Sequence, residues 1–133
     1  MTPNISTATE EQLKWMVAGA TVECFRGLLS NHAPCQVCYN TGHVFALPDA
    51  VREYDYEPTD DRWAYLEAAV ELGYAVHLLS FAEALNVSWH AELRNLSNKE
   101  NWCDSYGDTA GEAFLRALAH TLEADGVKLR ETP

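Results

Sequence analysis

The sequence predicts an α+β domain, an antiparallel sheet of about three strands packed with about three helices as an α/β sandwich. Three observations predict it. Segments near residues 9–20, 59–72 and 109–126 carry helix entry signals followed by apolar residues at helical spacing. Residues 87–94 alternate between apolar and polar, and a polar stretch at 95–101 separates them from a second short strand.

The first helix is expected from about Thr9 to Ala20. Thr7 and Glu10 have capping-box spacing, as do Thr9 and Gln12, and Leu13, Met16, Val17 and Ala20 recur on one face with Glu10, Glu11 and Lys14 on the other. The β-branched Thr21 and Val22 follow Gly19, so Thr21 to Leu29 could continue the helix or turn into a strand; helix is the reading taken. Residues 31–58 read as an irregular loop or insertion, broken by Pro34, Gly42, Pro48 and Pro58. Thr59 is the expected N-cap of a second helix running to Leu72, with Asp60 and Asp61 in its first turn. Trp63, Leu66 and Val70, with Ala69 alongside, are its expected inward stripe, and Gly73 is its C-cap.

Tyr74 to Phe81 reads as a strand. In Val87 to Arg94, Val87, Trp89, Ala91 and Leu93 form a core face against Ser88, His90, Glu92 and Arg94. Asn95 to Asn101 is a hairpin loop and Trp102 to Tyr106 the returning strand. Thr109 and Glu112 open a last helix with Ala113, Phe114, Ala117, Leu118, Thr121 and Leu122 inward, and Gly126 ends it. One domain is therefore expected over 1–126, with a flexible tail at 127–133.

The 133 residues are about one domain's worth, and 47% hydrophobic content supplies a core without disulfides. With 9 Lys+Arg against 20 Asp+Glu the formal charge is -11, so direct binding to nucleic acid through phosphate neutralisation is not expected. No apolar run is long enough to cross a bilayer and residues 1–11 do not resemble a signal peptide, so a cytoplasmic protein without a membrane partner is expected. Apolar strands such as Tyr74 to Phe81 could pair across a homodimer as well as within a monomer.

Three constellations could carry chemistry. His32, Cys35, Cys38 and His43 read H-x2-C-x2-C-x4-H, four zinc-type ligands in one loop. The C-x2-C-x4-H spacing matches the start of a zinc knuckle, but Pro48 stands where its fourth ligand belongs. The alternative is that Cys35 and Cys38 are small buried apolar residues and the histidines are solvated. Residues 49–71 hold eight acids against Arg52 and Arg62, which is -6 of the total charge. Within it Glu53, Tyr54, Asp55, Tyr56, Glu57, Asp60 and Asp61 mix aromatics with carboxylates, the surface expected of a site that docks a basic protein patch or imitates a nucleic-acid backbone. The plainer alternative is a solubilising face. His77 and His90 fall on neighbouring strands with Cys103 and Asp104 on the next, the raw materials of a nucleophilic site. His90, Glu92 and Arg94, with Tyr106, could instead bind a small ligand such as a nucleotide signal. Neither G-x-S-x-G nor a P-loop is present, and no catalytic residue is assigned.

From Glu11 onwards the chain resembles small accessory proteins of tailed bacteriophages, the Phage ABA sandwich and NinX-like families. The resemblance is carried by Leu13 to Ala18, by Tyr54 to Trp63 leading into Leu66 to Gly73, by the strands around Trp89, and by Asp108 to Ala113 opening Phe114 to Leu118. Asn31 to Gly42 is not part of the pattern. The resemblance implies a phage or prophage accessory protein, and similar small phage proteins include inhibitors of bacterial defence. The expected function is thus a non-enzymatic protein that binds and inhibits a host protein through its acidic surface. The alternatives are a nucleotide-signal binder and a zinc-stabilised adaptor.

Overall fold

A computed structural model describes residues 4–23, 43–53, 57–83, 86–97 and 101–131. Among them the chain forms three α-helices and two antiparallel sheets, one of two strands and one of three, which is the predicted α+β class. Helix α1 spans Glu10–Ala18, and of the two possible capping boxes Thr9 with Gln12 is the one formed: Thr9 Oγ1 accepts from the Gln12 amide and Gln12 Oε1 from the Thr9 amide. Its apolar stripe, Leu13, Met16 and Val17, is fully buried against the last helix.

The helical reading of Thr21 to Leu29 is overturned for the described part. Thr21–Glu23 is a strand, β1, paired with β2 at His43–Phe45. The β-branched pair Thr21 and Val22, just past the helix C-cap at Gly19, favours extended backbone, and Thr21 gains a second neighbour in Lys128, exchanging hydrogen bonds of 2.9 and 3.0 Å with it. The irregular reading of 31–58 likewise gives way where residues are described: β2, a 3-10 turn at Asp49–Val51 and an Arg52–Pro58 bridge order that stretch. Arg52 acts as a staple, donating to the carbonyls of Ala18 and Leu47 while its guanidinium lies 3.8 Å over the Phe45 ring.

Helix α2 spans Arg62–Glu71 and is capped by Asp61, whose carboxylate accepts from the Trp63 amide at 3.0 Å, rather than by Thr59. The expected stripe is corrected in part. Ala69 is fully buried and Leu66 packs half-buried on the core, as expected, but Trp63 and Val70 are 63% and 60% exposed and the rest of the buried face is Ala64, Tyr65 and Ala68. The helix is apolar on both sides, and the core takes the side on which Tyr65 can donate to the Thr59 carbonyl at 2.8 Å and the alanines permit close approach. Gly73 ends the helix at φ +89°, the left-handed position expected of it.

Strands β3 (Tyr74–Glu83), β4 (Asn86–Asn95) and β5 (Trp102–Gly107) form the antiparallel sheet in the order β3-β4-β5. Ala91 and Leu93 of β4 are fully buried, as the alternation predicts, beneath helix α3, Ala110–Ala124. Thr109 caps α3 through the Glu112 amide, while the Glu112 carboxylate turns to Arg116 at 3.0 Å. Beyond α3 the expected loose tail differs from what is found over 127–131. Besides the Thr21 pairing, Leu129 is buried, the Arg130 amide donates to Met16 and the Trp15 indole donates to the Glu131 carbonyl.

Candidate functional site

The acids of the 49–71 run meet the polar side of α1 in a groove of about 420 Å³, lined by Glu11, Gln12, Trp15, Glu53, Glu57, Pro58 and Asp60. Each wall has a local cause. Helical spacing places Glu11, Gln12 and Trp15 on one side of α1. The Glu53 amide donates to the Glu57 carbonyl at 2.7 Å and the Thr59 amide to Val51 at 2.8 Å, which closes the acidic loop on itself. The Thr59 hydroxyl takes the Asp61 amide and donates to Glu53 Oε1, both at 3.3 Å. Trp15 is held by its indole bond to Glu131 and by the Arg130 guanidinium, 4.1 Å from its ring centroid.

The groove carries four carboxylates. Lys14 is buried between two of them, with Nζ 3.1 Å from Glu11 and 3.5 Å from Asp60. The field reaches the core: burial pushes the Tyr65 hydroxyl well above its ordinary range, and the charges of Asp60, Glu11 and Glu53 push it further. An ammonium or guanidinium entering this groove would find several anionic acceptors and an aromatic wall. Of the residues singled out from the sequence, Glu53, Glu57 and Asp60 line the groove and Asp61 caps α2 beside it. Tyr54, Asp55 and Tyr56 lie outside the described residues. Glu11, Gln12 and Trp15 were not singled out; their signal is a tryptophan at the border of the acidic face of α1.

His90, Glu92, Arg94 and Tyr106 are brought to the sheet face opposite α3, where strand register sets His90 beside Tyr106 and Glu92 beside Asp104. They are engaged with one another. His90 Nε2 donates to Asp104 at 3.0 Å and its ring lies 4.6 Å from that of Tyr106, while Arg94 is 3.5 Å from Glu92. Cys103 alternates onto the other face of β5, so Cys103, His90 and Asp104 do not converge into a nucleophilic site.

His43 stands in β2, opposite Glu23, whereas His32, Cys35 and Cys38 lie outside the described residues. Among the described residues there is no cluster of three or more His, Cys, Asp or Glu placed to hold a metal ion. No helix among them is long and apolar enough to cross a membrane. Comparison of the chain with protein-family models, curated proteins and solved structures finds no match.

Proposed function

We propose that this chain is a non-enzymatic interaction protein that takes basic side chains of a partner protein into its acidic groove. The observation that carries the reading is the convergence of Glu11, Glu53, Glu57 and Asp60 around Trp15 and Pro58. Carboxylates give bidentate acceptors for arginine, and Trp15 and Pro58 give apolar surface for the stem of its side chain. The resemblance to small phage accessory proteins suggests the biological setting: a phage or prophage factor that occupies a basic surface of a host protein and so inhibits it.

A fluorescently labelled arginine-rich peptide, followed by anisotropy, tests the groove directly. Reversing one acid exchanges an attraction for a repulsion, about two charge units at roughly 6 Å, or roughly 1.4 kcal/mol in a water-like dielectric. Glu53→Lys and Glu57→Lys should each weaken binding about tenfold, and added salt should weaken the wild-type complex. Peptide binding that neither reversal changes would overturn the proposal, as would no binding at low salt.

A further inference from the structure

We propose that the outer edge of β3 joins a second copy of this chain, so that two three-stranded sheets continue as one six-stranded sheet across a twofold axis. The inference is independent of the acidic groove. In the order β3-β4-β5 only one side of β3 is paired, and among the described residues no strand lies against the other. Sheet edges in soluble proteins are ordinarily blunted by charge, proline, a bulge or short length. Here none of these devices is used. The ten residues of β3, YAVHLLSFAE, contain no proline and a single charged residue, at the very end. Their register with β4 is unbroken from Tyr74 opposite Asn95 to Glu83 opposite Asn86.

The opposite edge is built differently: β5 has six residues, carries Asp104 in its middle and leads directly into α3. Apolar surface also collects at β3. Leu78 and Leu79 point to opposite faces of the sheet and are 38% and 44% exposed, so the strand is greasy above and below. Helix α2 brings exposed Val70 and Leu72 to the start of the same strand.

Charge and symmetry choose the occupant. A chain of net charge -11 repels its own copies unless they meet on a neutral surface, and β3 supplies one. An antiparallel edge is self-complementary about a twofold axis perpendicular to the sheet, with no other sequence required. With that axis at Leu78, each Leu78 meets its counterpart and Glu83 lies opposite the Gly73 end of the other copy. The two Glu83 positions are then ten residues apart along the strands, roughly 34 Å, well beyond a Debye length of about 8 Å.

Sedimentation of the full chain over about a hundredfold range of concentration tests the proposal. The wild type should reach twice the chain mass of 14.9 kDa, and its β3 amides should exchange with solvent more slowly as the dimer fills. Leu78→Lys and Leu79→Lys keep their ammonium groups in water in the monomer, but in the dimer the first sets two like charges directly against each other at the twofold and the second sets them on the adjacent diagonal, about 7–8 Å apart. Each should sediment as a monomer with an unchanged far-ultraviolet dichroism spectrum. A wild type that stays at 14.9 kDa throughout, or folded lysine variants that remain dimeric, would overturn it.

Discussion

Arg116 is where a single substitution should cost the fold most clearly. Its guanidinium donates to the carbonyls of Ile5 at 3.1 Å, Ala8 at 2.8 Å and Tyr106, while Glu112 lies 3.0 Å away. One planar group thus fastens the N-terminal segment to α3 and to the end of β5. Arg116→Met keeps the aliphatic packing and removes every donor. Ile5 and Ala8 are buried residues whose carbonyls water would reach poorly, at about 1–1.5 kcal/mol each, whereas the exposed Tyr106 can rehydrate. The expected loss is therefore about 2–3 kcal/mol, or roughly 6–12 °C in Tm for a chain of this length. Arg116→Lys reaches fewer of the three carbonyls and should lose about half as much. Urea and thermal unfolding followed by circular dichroism measure both, and amide exchange should place the loosened region at residues 4–9. A methionine variant within about 0.5 kcal/mol of wild type would refute the reasoning.

Other substitutions probe the packing of the helices and the buried phenols. Gly111→Ala would set a methyl against Glu10 Oε1 and Arg62 Nε, so it should break the bidentate Glu10–Arg62 pair, and because that pair is half exposed and alanine favours the helix, chemical denaturation should show a net change of less than about 1 kcal/mol. Trp63→Gln should change stability by less than about 0.5 kcal/mol, whereas Tyr65→Ala should lose about 3–5 kcal/mol; the reverse order would contradict the observed face of α2. The Tyr65 and Tyr74 hydroxyls are both raised above the ordinary value of 10.0, chiefly by burial, Tyr74 also by its hydrogen bond to Asp125. A raised folded value means stability that is whole below about pH 10 and falls as the unfolded phenols ionise above it. Absorbance at alkaline pH should therefore show two of the six tyrosines ionising only as the chain unfolds.

The elements readable from sequence are those whose signals are local. Thr9 and Thr109 sit beside the helices they cap, and Ala91 and Leu93 alternate with His90 and Glu92 within one strand. Helix α2 misleads at Trp63 and Val70, because a stripe through them is as apolar as the one through Tyr65 and Ala68, while Leu66 and Ala69 turn inward as expected. The choice rests on the Thr59 carbonyl that Tyr65 finds only in the fold. Strands β1 and β2 have three residues each and pair across a long sequence separation, and Lys128 becomes a strand partner only because Thr21 is already extended. The groove was half legible. The run containing Glu53, Glu57 and Asp60 announces its charge, but nothing local tells that Glu11 and Trp15 of α1 form the facing wall.

The net charge of -11 also conceals how unevenly the two signs are placed. Arg52 and Arg116 have nearly buried guanidinium side chains spent on backbone carbonyls, Lys14 lies buried beneath Glu11 and Asp60, and Arg130 is stacked on Trp15. The partners of these groups are different: Asp49, Asp60 and Glu11 remain largely exposed while the cations that touch them do not. At Lys14 and Arg52 cations are thus drawn inward as fasteners and carboxylates are left at the solvent boundary, the reverse of Arg62–Glu10 and Arg94–Glu92, where the cation is the more exposed partner. Screening in physiological salt acts over about 8 Å, so a partner approaching the groove feels the nearest groups most strongly, and those are anionic. The arginines that hold the fold together are, by the same geometry, what leaves its surface receptive to a basic one.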